Sequence, residues 1–121
     1  MAIRSFRDLL VWQLSVELAV EVYALTKTFP KEEQFGLTSQ LRRAAVSIAA
    51  NIAEGHGRLH RGDFLHHLSF ARGSLAEAET HLIIANRIAL IDDEMLSVLE
   101  GRCGEIGRVL NGLIRSLIPR P

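Results

Sequence analysis

The chain is short of several things, and each shortage excludes something. A single cysteine, Cys103, stands in 121 residues. It cannot form an intramolecular disulfide, so the fold must be held by its core. A chain of this length buries roughly two-thirds of its unfolded surface, enough for one domain without staples. Proline interrupts the interior only at Pro30, because Pro119 and Pro121 lie at the end. No stretch reaches the ~18 continuous apolar residues of a membrane span. The opening MAIRSFRDLL lacks both the apolar run and the small-residue cleavage site of a signal peptide. The lone thiol, set in an apolar stripe, fits a reducing interior and a packing role. The expected location is therefore the cytoplasm, with no membrane partner. Excess charge of one sign is missing too: fourteen basic and fourteen acidic side chains balance. Strong nonspecific nucleic-acid binding rests on many cationic phosphate contacts, so only a local patch is left to supply it. Strand-like alternation, solenoid repeats and low-complexity segments are absent.

Helical periodicity fills the space. Between Thr38 and Arg58 the residues Leu41, Ala44, Ala45, Ile48 and Ile52 recur at three- and four-residue steps, one face of a 3.6-residue period. Alanine is frequent, so propensity agrees with pattern. Gly55 and Gly57 follow, where a helix end favours a residue tolerant of positive φ. Upstream, Ser5 is a candidate N-cap, and a first helix is expected over about 6–29, closed by Pro30. It is apolar on two faces. One reads Leu9, Trp12, Val16, Ala19 and Tyr23; the other reads Leu10, Leu14, Leu18, Val22, Leu25 and Phe29. A helix bundle buries one stripe of each helix, so the surplus predicts a subunit interface, assigned to Leu10, Leu14, Leu18 and Val22. In the connection PKEEQFGL, Lys31, Glu32 and Glu33 read as solvent-facing. The second helix is expected over 38–55. A third, over 63–89 with Asp63 as its cap, repeats Phe64, Leu68, Ala71, Leu75, Ala78, Leu82, Ala85 and Ala89 at alternating steps of four and three, the heptad seam of shallow-angle packing. Gly73 inside it costs roughly 1 kcal/mol relative to alanine, which points to close backbone approach. A fourth helix is expected over 93–118, capped by Asp92 and weakened by four glycines. Three short connections force antiparallel neighbours. The reading is an all-α, up-down four-helix bundle spanning one domain, 1–121.

Three long strings, FRDLLVWQ, FPKEEQFGLTSQLRRAAVSIAANIAEGHGR and FLHHLSFARGSLAEAETHL, resemble, in order, the bacterial four-helix-bundle family first met as proteins encoded in 23S rRNA intervening sequences. The resemblance covers roughly residues 5 to 90. It implies a bundle that assembles as a ring, a homopentamer, with no established catalytic activity. A similar bundle is the accessory protein of diversity-generating retroelements, which works with a reverse transcriptase and nucleic acid.

Candidate sites are of three kinds. A polar stripe on the second helix, Arg43, Ser47, Asn51 and Glu54, sits among small and apolar neighbours and is expected to pair with Arg72, Glu77 and Glu79 of the third helix as a structural network, because buried charge needs partners. His56, His60, His66 and His67 cluster within twelve residues, but their spacing lacks the helical pair of a zinc site, so no metal is assigned. A basic patch, Arg42, Arg43, His56, Arg58, His60 and Arg61, is the candidate nucleic-acid site. Aromatic platforms of the kind that stack single strands are absent beside it except Phe64, which the core claims. The glycines of GHGR follow a helix and lack the strand-turn-helix setting of a phosphate loop. Di-iron chemistry would need Glu-x-x-His pairs on two helices, and none occurs. The expectation is a non-enzymatic protein without cofactor, partnered by copies of itself and by RNA, DNA or a nucleic-acid enzyme. The alternative is a purely structural or protein-interaction ring.

Overall fold

A computed structural model describes residues 3–119. It contains four helices: α1 Leu10–Thr26, α2 Leu37–His56, α3 Arg61–Arg87 and α4 Asp93–Leu117. Among the described residues there is no strand. α1 packs on α2 and α4, and α3 packs on the same two, while the diagonal pairs stay apart. This is the expected square of antiparallel helices around one core. The N-terminus of α1, the C-terminus of α2, the N-terminus of α3 and the C-terminus of α4 share one end.

The first helix is shorter than its pattern suggests. Ser5 is an N-cap, but of a single 3-10 turn, Phe6–Asp8. Its hydroxyl accepts from the Arg7 amide, and Asp8 accepts from the Ser5 amide in return. Leu9 is then extended, with ψ of 124°, so α1 starts afresh at Leu10. At the far end α1 stops at Thr26, three residues before Phe29. There the Thr26 and Thr28 hydroxyls donate to the Val22 and Leu25 carbonyls at 2.8 and 2.7 Å. The Leu25 carbonyl, one of the four left free at the helix end, is thus taken by a side chain, while the Thr26 hydroxyl bonds back to a carbonyl already inside the helix.

The glycines that read as the end of α2 do something else. Gly55 lies inside the helix and is buried. A Cβ there would sit 2.6 Å from Cβ of His67 and 3.1 Å from Cδ1 of Phe64. Gly55 therefore marks a close approach of α2 to α3. Gly57 caps the helix at φ −76°, without positive φ. The start of α2 is capped by Glu33, read as a solvent-facing residue, whose Oε1 accepts from the Leu37 amide at 3.1 Å. α3 begins at Arg61, so His60 rather than Asp63 is its N-cap residue and Asp63 lies in the first turn. α3 ends at Arg87, and Ala89 is left-handed at φ 64°. The Leu90 amide donates to the Ala85 carbonyl at 2.8 Å and the Ala89 amide to Asn86 at 3.0 Å, the paired closure of a Schellman turn. α4 opens as expected: Asp92 accepts from the Met95 amide at 2.8 Å.

The core joins Leu18, Leu41, Ile48, Ile52, Leu68 and Leu82 to Leu99, Ile106 and Leu110, all fully buried. The α3 seam from Leu68 to Ala85 faces inward, with Phe64 partly buried against it. Leu18 and Val22, assigned above to a subunit interface, are both 0% exposed within the single chain. They have no surface left for a partner, and Leu14 is largely spent on the same core. Of the four, only Leu10 is exposed. The exposed apolar surface of α1 lies instead at Val20 and Tyr23, together with Leu10. Gly73 offers a second correction: no atom lies within 4 Å of where its Cβ would be, so no helix of this subunit approaches it. Among the described residues no helix is long and apolar enough to cross a membrane.

Candidate functional site

The face of α1 that flanks its core side, next to α2, stays open. Trp12, Val16, Ala19, Val20 and Tyr23 line one wall of a groove of about 570 Å³, and Val46, Ala49, Ala50 and Ala53 of α2 line the other. Val20 is 64% exposed at its centre. The walls are apolar because α1 carries two apolar faces and α2 offers alanines on the side turned toward it. Lys27 closes one end. Nearby, the Arg42 guanidinium lies 4.6 Å from the centre of the Tyr23 ring and donates from Nε to the Thr26 hydroxyl at 2.7 Å. A cation on an aromatic face and a hydroxyl lock α1 to α2 there.

The second feature is a polar seam between α2 and α3. The Ser47 and Ser74 hydroxyls share a hydrogen bond of 2.9 Å. The Asn51 amide nitrogen donates to the Ser47 carbonyl and hydroxyl at 2.9 and 3.0 Å. Its carbonyl accepts from Nδ1 of His67 at 3.2 Å. That contact places the ring proton on Nδ1. Glu54 lies 3.9 Å from the same nitrogen and pairs with Arg58 at 3.0 Å. Of the expected stripe, Ser47, Asn51 and Glu54 are therefore joined. Arg43 and Glu77 line one shallow depression with Gln40 and Ser47, without a hydrogen bond between them. Arg72 and Glu79 turn the other way, toward α4. Arg72 donates to Asn111 at 3.1 Å. Glu79 faces Glu100, and burial together with that like charge raises its carboxyl above the usual range. Ser74 and His67, the true partners of the stripe, lie seven residues apart on one side of α3. The spacing of seven is legible in the sequence, but it runs beside the stronger apolar seam of the same helix.

The expected basic patch divides. His56, Arg58, His60 and Arg61 gather where α2 meets α3, beside the exposed Leu59. His56 packs edge-on to Phe64, with ring centres 5.6 Å apart. Arg42 and Arg43 are not part of this group. At a rise of 1.5 Å per residue they lie roughly 20 Å back along α2 from His56, and Arg42 is engaged by Tyr23 and Thr26. Arg4, Arg7 and Arg115 come to the same end of the bundle as Arg58 and Arg61, a gathering the linear patch did not include.

Among the described residues no three His, Cys, Asp or Glu side chains group as metal ligands. Cys103 is buried, and burial first, then Glu79, Glu100 and Glu21, push its thiol up to about 12. A thiol held protonated is a poor nucleophile. His81 is buried in α3, with Nε2 3.6 Å from Glu77 and without a hydrogen bond among the described residues.

A family model for 23S rRNA-intervening sequence proteins matches residues 7–112. The chain belongs to that family. The 23S rRNA-intervening sequence bundle also has a solved counterpart. It is similar to a protein of unknown function from the S23 ribosomal protein family of Bacteroides thetaiotaomicron, with 30% identity and a TM-score of 0.81 over 87% of this chain and 95% of the other. Comparison with curated proteins finds no match. The resemblance read from the three strings is thus the family itself, and the match extends past residue 90 into α4.

Proposed function

We propose that this member of the 23S rRNA-intervening sequence family is a non-enzymatic assembly protein. Its bundles associate side by side into a homo-oligomeric ring, a homopentamer, and the ring serves in the cytoplasm as an adaptor for nucleic acid or for an enzyme that acts on it. The open α1/α2 groove is the observation that carries this reading. An aromatic-walled apolar groove of that size on a chain this small marks an interaction surface. The number five comes from the family resemblance. The nucleic-acid clause draws on the end of the bundle that bears Arg4, Arg7, Arg58, Arg61 and Arg115. Five weak patches on one rim gain from effective concentration.

Light scattering of the purified chain, at low and moderate salt, tests the assembly. A mass near five subunits is expected, and Val20→Asp should shift it toward monomer while leaving helicity intact. A wild-type monomer at micromolar concentration would refute the ring. A second reading, a ring that binds protein only, is favoured by the Arg58–Glu54 pair, which neutralises one cation of the basic end. Salt decides between them. Adaptor binding to RNA or DNA should weaken steeply as salt rises, whereas a protein-only ring shows no mass shift with either.

A further inference from the structure

The groove needs an occupant, and the chain carries a matching face. The outer side of α3 is poor in charge for an exposed 27-residue helix. Phe70 is 50% exposed and Ile84 44% exposed on it, and Ala76 and Thr80 lie between them in the open. At its middle is Gly73, where a Cβ would meet nothing within 4 Å. A glycine inside a helix weakens it, and in this subunit no close approach accounts for the residue. A gap in a helix surface is useful where a second helix comes near.

The heights agree. Ser47 bonds Ser74, and Arg42 bonds Thr26. These two contacts set the register of α3 and of α1 against α2. Counted antiparallel from them, Val20 and Gly73 both fall at the level of Ile48, about 3 Å along the bundle from Val46. Tyr23 and Lys27 stand at the level of Glu77 and Thr80, and the Glu77 side chain is 59% exposed. In a ring whose axis runs along the bundles, levels are preserved from one copy to the next. The protruding Val20 then meets the hollow at Gly73, and the Lys27 ammonium meets the Glu77 carboxylate.

Resting on the ring reading above, we propose that the outer face of α3 of one copy seats in the α1/α2 groove of the next, with Val20 set against Gly73 and Lys27 against Glu77. The two patches differ and do not overlap. Such a contact is heterologous: it closes a ring or grows a filament, and does not stop at a dimer.

The test uses full-length chain. Gly73→Leu adds a side chain where the subunit has room, so the fold and its helicity are expected to persist while the assembly dissociates at least tenfold more readily on dilution. Wild-type assembly in a folded Gly73→Leu variant would overturn the proposal. If Val20→Asp dissociates the assembly and Gly73→Leu does not, the groove is an interface but α3 is not its occupant, and the ring reading survives without this inference. A wild-type monomer removes both. Cross-linking decides the matter even if Gly73→Leu misfolds. Under mild oxidation a Val20→Cys, Gly73→Cys double variant should give a ladder of disulfide-linked chains, and each single variant should not. Absence of the ladder in an assembled double variant would also overturn the proposal.

Discussion

Ala89 holds a left-handed backbone at φ 64° with a Cβ attached. That conformation costs an L-residue roughly 1–2 kcal/mol, and glycine escapes most of it. The Schellman closure around it is otherwise complete. Ala89→Gly should therefore raise the unfolding free energy by about 0.5–1 kcal/mol, after the extra entropy of glycine in the unfolded chain is subtracted. Urea denaturation checks it, and a loss of stability would mean that Ala89 supports packing. The opposite sign is expected at Gly55, where a Cβ would lie 2.6 Å from Cβ of His67. Overpacking of this kind costs roughly 1–3 kcal/mol, so Gly55→Ala should lower the urea midpoint. Both positions show how local sequence can mislead. Ala89 extends the heptad spacing by one more step, and alanine gives no sign of a turn. Gly55 sits where a helix end was due, and glycine for a turn looks the same as glycine for close approach.

At the scale of the element, α3 was the most legible because a two-helix seam leaves a regular repeat, and Leu68 through Ala85 do line the core. α1 was the least legible. Two apolar faces give no internal reason to prefer one as core, and Leu18 and Val22, expected at an interface, are enclosed within the subunit. Its ends depart from the apolar pattern: the Ser5–Asp8 capping box closes a 3-10 turn, and the Thr28 hydroxyl takes the free Leu25 carbonyl before Pro30. The α3/α4 contact yields a pH prediction. Burial, then Glu100, raises the Glu79 carboxyl in the folded chain. A carboxyl raised on folding adds stability while it is protonated, below its unfolded value near 4.5. That contribution is lost as pH rises through the higher folded value. Glu79→Gln should thus be more stable than wild type at pH 7, with the difference shrinking toward pH 4. Thermal melts across that range measure it. A constant difference would assign the effect to something other than ionisation.

The whole molecule is neutral in sum but not in arrangement. One end gathers Arg4, Arg7, Arg58, Arg61 and Arg115 against Asp8, Glu54 and Asp63. The opposite end carries Glu32, Glu33, Asp92, Asp93 and Glu94 against Lys27, Lys31 and Arg87. Net charge, read from composition, hides this polarity because the helix order that creates it is a property of the fold. In a ring with its axis along the bundles, every basic end lies on the same rim, so a single substitution changes that rim once per subunit. If the rim is what nucleic acid meets, Arg61→Ala should weaken binding roughly tenfold or more at low salt and flatten its dependence on salt, because fewer counterions are released. Arg43→Ala, roughly 20 Å along α2 from that end, should leave both nearly unchanged. Fluorescence titration of a short labelled RNA and DNA at several salt concentrations makes the comparison. Equal losses from the two variants would move the contact off the rim and onto the side of the bundle. In the proposed ring a neighbouring copy would compete for that space, so a strand bound on the flank would loosen the assembly rather than sit across it.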